Sequence, residues 1–198
     1  ESRAAMPLFN VNLFRRNAVF ALSNLSALIS YSATFAIGFL LSLYLQYTRG
    51  FSPEQAGVIL IAQPVLQSVI SLFTGRLSDR VDPRVPASIG MALTCAGLVI
   101  FSFIGENSSI FLIIAGLVTV GVGFGFFSSP NTNAIMSAVE PRFYGVASAI
   151  LSAMRLIGNM LSMGIVMLLF GLYIGHVTIS AGNSPLLVAS AQVAFGIF

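Results

Sequence analysis

Arg155 stands in the apolar run GVASAILSAMRLIGNMLSMGIVMLLF, with Ser148, Ser152, Asn159 and Ser162 spaced around it by four, three, four and three residues. On a helix that spacing places all five on one face. An arginine facing hydrocarbon would cost at least ~2.5–3.5 kcal/mol, so it must turn towards protein or a water-filled path. Two readings stay open for it. One is electrostatics or gating along a substrate path, and the other is a structural arginine held by carbonyls or by an acid from elsewhere. Gln63, Gln67, Ser71 and Thr74 form a second polar stripe. The long amides Gln63 and Gln67 favour a cavity, because lipid cannot satisfy them. Ser23, Ser26, Ser30 and Thr34 form a third stripe, with Tyr31 and Asn24 beside it. Small hydroxyls of this kind suit helix–helix hydrogen bonding. The candidate path is therefore Arg155, Asn159, Ser152, Gln63, Gln67 and Tyr31.

No catalytic set accompanies these residues. The sequence holds no Ser/His/Asp arrangement, no metal-ligand cluster and no paired carboxylates, so an enzyme, a metal site and a cofactor are not expected. His176 has no metal-binding neighbours, and Cys95 is the single cysteine. Gly121 and Gly125 form a small-xxx-small pair that reads as helix packing; a phosphate loop would need a preceding strand.

The elements that must position these groups are membrane helices. Hydrophobic residues make up 57% of the 198 and charged residues 8%, against roughly 25% charged in soluble domains. Five apolar stretches reach the roughly 20 residues a span requires: about 17–47, 53–77, 83–105, 109–129 and 141–173. A sixth, 185–198, would rise only about 21 Å, short of a ~30 Å hydrocarbon core. Because of that short span and a start at Glu1, the chain is read as a piece of a longer protein. Ser52-Pro53-Glu54-Gln55 reads as a capping box, and Asp82-Pro83 and Ser184-Pro185 as cap-then-proline starts. Pro64 is expected to kink the second span. Residues 1–16 read as a lead-in lying on the membrane surface.

Arginines set the expected orientation. If the N-terminus is cytoplasmic, Arg3, Arg15, Arg16, Arg76, Arg80, Arg84 and Arg142 fall inside and Arg49 alone falls outside. That bias follows the positive-inside rule and puts both termini in the cytoplasm of a multi-pass cell (inner or plasma) membrane protein. The basic excess then reflects topology and lipid headgroups; nucleic acid is not expected as a partner. Glu54 and Glu106 fall near the outside, and Asp79, Asp82 and Glu140 near the inside. No acid lies at the depth of Arg155, so a proton-carrying carboxylate is expected outside this chain.

The inner loop between the second and third spans reads GRLSDRVDPR. Its Gly75, Leu77, Asp79, Arg80 and Arg84 resemble the G-x-L-x-D-R-x-x-x-R loop motif of the major facilitator superfamily, with Asp82 where the family usually has glycine. LYLQYTRGFSPEQAGVIL (43–60) and EPRFYGVASAILSAMRLIGNMLSMGI (140–165) resemble stretches of the fourteen-helix drug:proton antiporter branch. The resemblance implies an all-α fold of six transmembrane helices, the sixth truncated, arranged as two inverted three-helix repeats. It implies the C-terminal half of a transporter, with a missing N-terminal half of six or eight helices, the bilayer, protons and a small amphipathic substrate as partners. Proton-coupled efflux of drug-like compounds leads, since Phe- and Met-rich helices make a tolerant path. A facilitator-family uptake carrier for a defined solute, or a non-transporting scaffold, are the alternatives.

Overall fold

The computed structural model describes residues 17–78, 80–173, 175 and 184–198. The lead-in 1–16, Asp79 and His176 lie outside the described residues. Among the described residues seven α-helices follow in order: α1 (Ala18–Leu43), α2 (Pro53–Leu60), α3 (Ala62–Ser78), α4 (Arg84–Ser102), α5 (Ile110–Ser137), α6 (Tyr144–Tyr173) and α7 (Ser184–Ile197). Among the described residues five segments are long and apolar enough to cross a membrane: Ala18–Thr48, Pro53–Ser78, Arg84–Ser102, Ile110–Ser137 and Pro141–Tyr173. Their outward side chains are apolar too, with Leu72 70%, Met160 72% and Phe111 81% exposed. Lipid solvates such surfaces and water does not.

Local chemistry sets the helix ends. Asn17 caps α1, its side chain accepting from the Phe20 N–H at 3.0 Å. Past Leu43 the helix continues as a π turn over Tyr44–Thr48. Ser52 and Gln55 close a reciprocal capping box on α2, with Pro53 in the first turn. Pro64 has no N–H to return to Leu60, and the second span breaks between α2 and α3 at Ile61, as expected of an interior proline. The start of α4 differs in detail from a cap-then-proline reading. Pro83 is the cap residue and makes no side-chain cap bond. Asp82 instead accepts from the Arg84 N–H at 3.0 Å. The fourth span also runs on to Ser137, past the expected end at Ser129. Pro130 sits buried inside it, where helix neighbours rather than water surround the interrupted turn.

The first span packs on the fifth (α1 on α6), and the second on the fourth (α3 on α5). The third span, α4, lies against α5 and α7. Close approach at the α4–α5 seam rests on small residues. A Cβ at Gly90 would stand 2.5 Å from the Gly123 carbonyl oxygen, and one at Gly116 would stand 2.3 Å from the Phe101 ring. Without a hydrophobic force between helices in lipid, such dispersion contact is the main attraction available.

The bundle has two end faces. Asn17 donates to the Ala138 carbonyl at 2.5 Å on the face that carries Arg84. On the opposite face the Tyr44 hydroxyl donates to the Gly105 carbonyl at 2.7 Å, and Gln192 donates to the Ile104 carbonyl at 2.8 Å. A large apolar core with Ile37, Leu41, Phe101, Leu117 and Phe195 supports this second face. A smaller one with Phe20, Ile135, Ile150 and Leu151 supports the Arg84 face.

Candidate functional site

Between the two cores lies a cleft of about 360 Å³. Its walls come from four spans: Tyr31, Thr34 and Phe35 of α1, Gln63 and Gln67 of α3, Phe124 of α5 and Asn159 of α6. Aromatic rings and three carboxamides thus share one membrane-embedded space.

Backbone contacts fix this geometry. On α5, a Cβ at Gly121 would stand 2.7 Å from the Gln63 carbonyl oxygen, and one at Gly125 would stand 3.0 Å from that of Gln67. Only helix surfaces lacking side chains at those points can seat the glutamine backbone so closely. The Thr74 hydroxyl, two turns further along α3, donates to the Gly125 carbonyl at 2.8 Å. Gly158 plays the matching part between α6 and α1. A Cβ there would lie 2.7 Å from the Leu28 carbonyl oxygen and 2.9 Å from the Tyr31 Cβ. Asn159 is therefore brought beside Tyr31. One turn on, buried Ser162 accepts from the Ala36 N–H at 3.0 Å.

Tyr31 is gripped from two sides. Its ring meets Phe124 edge-on, centroids 5.1 Å apart. The Arg155 guanidinium carbon lies 5.3 Å from the Tyr31 centroid. Arg155 Nη2 donates to the Thr132 hydroxyl at 3.1 Å, and that hydroxyl donates to the Ser128 carbonyl at 2.9 Å. Arg155 Nε and Asn159 Oδ1 are shielded from solvent and have no hydrogen-bond partner among the described residues. Asn24 Oδ1 and Thr48 Oγ1 are orphaned likewise, and buried polar atoms are almost always satisfied, by water where not by protein.

Of the six path candidates, Tyr31, Gln63, Gln67 and Asn159 line the cleft, and Arg155 reaches its edge through Tyr31. Ser152 is exposed on α6 and does not line it, and Ser148 is exposed likewise. In the loop motif, a Cβ at Gly75 would stand 2.9 Å from the Ser129 hydroxyl. Leu77, Arg80 and Arg84 are exposed. Ser78 accepts from Asn133 at 2.5 Å, tying the end of α3 to α5. Thr34, expected to act in helix–helix hydrogen bonding, lines the cleft as well, while Thr132 and Phe124 fall outside the stripes that the sequence shows. Thr132 lies past the expected end of the fourth stretch at Ser129, on the part of α5 that continues to Ser137. Phe124 sits among apolar residues that give no periodic signal.

A second cleft of about 460 Å³ opens between α1, α4 and α5, near Arg84. Its walls mix Ala, Val, Leu and Met with Ser23, Ser26, Ser88, Arg84 and Asn131, and it holds none of the glutamines. Among the described residues no cluster of His, Cys, Asp or Glu could hold a metal.

Residues 24–198 match the family model described as Major Facilitator Superfamily. The chain is 29% identical to the riboflavin transporter RibZ of Clostridioides difficile over 76% of this chain and 32% of that protein. It is 30% identical to the multidrug resistance protein Stp of Mycobacterium tuberculosis, over 80% of this chain and 29% of that one. Similarity to the methylenomycin A resistance protein of Streptomyces coelicolor is 28%, covering 84% of this chain and 36% of the relative. The chain matches about a third of the length of these curated relatives.

Proposed function

The chain belongs to the Major Facilitator Superfamily, and from that premise we propose that it forms one half of a secondary-active transporter, its C-terminal half. In this reading it is a multi-pass protein of the cell membrane with both termini in the cytoplasm, as the arginine bias favours. The observation that carries the proposal is the cleft where Tyr31, Gln63, Gln67 and Asn159 converge from three spans. Discontinuous helices lining a mid-membrane cavity are the usual setting of a transported solute, and the Pro64 break supplies one here. The wide, apolar, aromatic walls favour amphipathic, drug-like compounds. Resistance proteins among the relatives point the same way. Protons drive the cycle in this reading through carboxylates supplied by the other half.

The three carboxamides also favour a second reading, a carrier for one defined solute that hydrogen-bonds them all. Transport by the whole protein in vesicles separates these from a scaffold. Under an imposed pH gradient, the complete transporter carrying this chain should move rhodamine 123 or fluorescein, and Gln63→Ala should slow that movement. No gradient-driven movement of either dye would contradict drug efflux.

A further inference from the structure

We propose that Arg155 makes this cleft an oxyanion-selecting site, recognising planar aromatic compounds that carry an ionised carboxylate, phenolate or similar oxygen. The inference rests on the cleft reading above and adds a charge preference to it.

The argument begins with what Arg155 lacks. Its guanidinium donates to one neutral hydroxyl, Thr132, and faces one ring, Tyr31. Among the described residues the ion pair present is Arg142 with Glu140 at 2.8 Å, on the exposed surface. Arg155 forms none. A guanidinium has five N–H donors in a fixed fork. Thr132 takes one of them, and Nε is buried without an acceptor. The side chain as a whole is half-buried and lies over Tyr31, a wall of the cleft. An uncompensated cation at this depth is costly, and the ligand that best offsets it carries a negative oxygen, preferably bidentate.

The walls define the rest of the ligand. Tyr31, Phe35 and Phe124 line the cleft, giving aromatic surface for a flat ring to lie against. The carboxamides of Gln63, Gln67 and Asn159 supply hydrogen bonds around the ring's rim. A cationic ring would meet like charge at Arg155 and gain nothing from the free donors.

Two xanthene dyes of similar shape and opposite charge test this: fluorescein, ionised, and rhodamine 123. Binding is measured by fluorescence polarisation on the complete transporter in nanodiscs. The unaltered protein should bind fluorescein more tightly. Arg155→Gln should weaken fluorescein binding about tenfold or more and leave rhodamine 123 unchanged or tighter. Arg155→Lys keeps the charge but loses the fork, so fluorescein should weaken by less. This variant carries the test if the glutamine form does not fold. Failure of the unaltered protein to bind fluorescein, equal loss of both dyes in Arg155→Gln and Arg155→Lys, or a fluorescein affinity indifferent to Arg155 each overturns the inference. Gln63→Ala and Asn159→Ala separate the two levels. If they weaken either dye while Arg155 does not matter, the cleft stands and the charge preference falls. If neither dye responds to them, the cleft reading itself falls.

Discussion

Arg155 and Tyr31 face each other across the contact between α6 and α1, guanidinium carbon to ring centroid 5.3 Å. Partly desolvated contacts of this kind are worth about 0.5–2 kcal/mol. The ring also leans on Phe124, so one side chain joins three spans. Tyr31→Phe keeps both ring contacts and should leave stability nearly unchanged. Tyr31→Leu removes both and should destabilise by about 1–3 kcal/mol. Thermal unfolding of detergent-solubilised protein, read by loss of the monodisperse elution peak, checks the order of the two variants.

Gly121 and Gly125 set how closely α5 approaches α3. A Cβ at Gly121 would fall 2.7 Å from the Gln63 carbonyl oxygen, a backbone atom with little room to yield. Gly121→Val should therefore cost about 1–3 kcal/mol, as overpacking does, and should widen the cleft. Gly171, on α6, has nothing within 4 Å of its would-be Cβ. Gly171→Ala should be neutral or slightly stabilising. The same unfolding assay compares them; equal effects would show that the α3–α5 approach is not tight.

Arg84 begins α4, and Glu106 lies just beyond its far end. Cysteines at these two positions, in a Cys95→Ser background, should react with impermeant maleimide from opposite sides of intact cells. Position 84 should be protected and position 106 reactive. Reaction of both from outside would contradict the span. A reversed pattern would contradict the orientation.

Much of this architecture can be read from the chain because membrane helices announce themselves by length and apolarity. Ser52–Gln55 and Pro64 also act through near neighbours, so their effects are visible locally. The α6 stripe shows where that visibility ends. Ser148, Ser152, Arg155, Asn159 and Ser162 share a helical face, yet the structure exposes the first two and buries the last against Ala36. Which part of a face is covered depends on where another helix crosses it, and that crossing is set here by Gly158. Pro130, just past the expected end of the fourth stretch, lies inside α5 for a related reason. Proline ends most helices in water, but inside a bundle its freed carbonyl need not be solvated. Thr132 and Arg155 are 23 residues apart, so no spacing rule connects them.

The loop motif yields a kinetic expectation. Ser78 and Asn133 hold the end of α3 to α5, and Gly75 sits against Ser129. Asp79 and Arg80 follow directly on this joint, and we propose that they latch the Arg84 face in one state of the cycle. An exposed ion pair contributes only about 0–1 kcal/mol. Even so, each 1.4 kcal/mol changes a two-state ratio about tenfold. Asp79→Asn in the complete transporter should slow turnover more than it lowers expression, and Arg84→Ala should have a milder effect. Rate per correctly inserted molecule is the measurement; unchanged turnover in Asp79→Asn would reduce the segment to a topology signal.

The central claim is that solute passes through the cleft shared by Tyr31, Gln63, Gln67 and Asn159. Its most direct test is ligand protection at Asn159→Cys in a Cys95→Ser form of the complete transporter. A small maleimide should modify position 159 slowly, and saturating fluorescein should slow it several-fold further. A water-facing control, Glu106→Cys, exposed beyond the end of α4, should be indifferent to the dye. Labelling at 159 that proceeds at the same rate with and without bound dye would place the solute elsewhere.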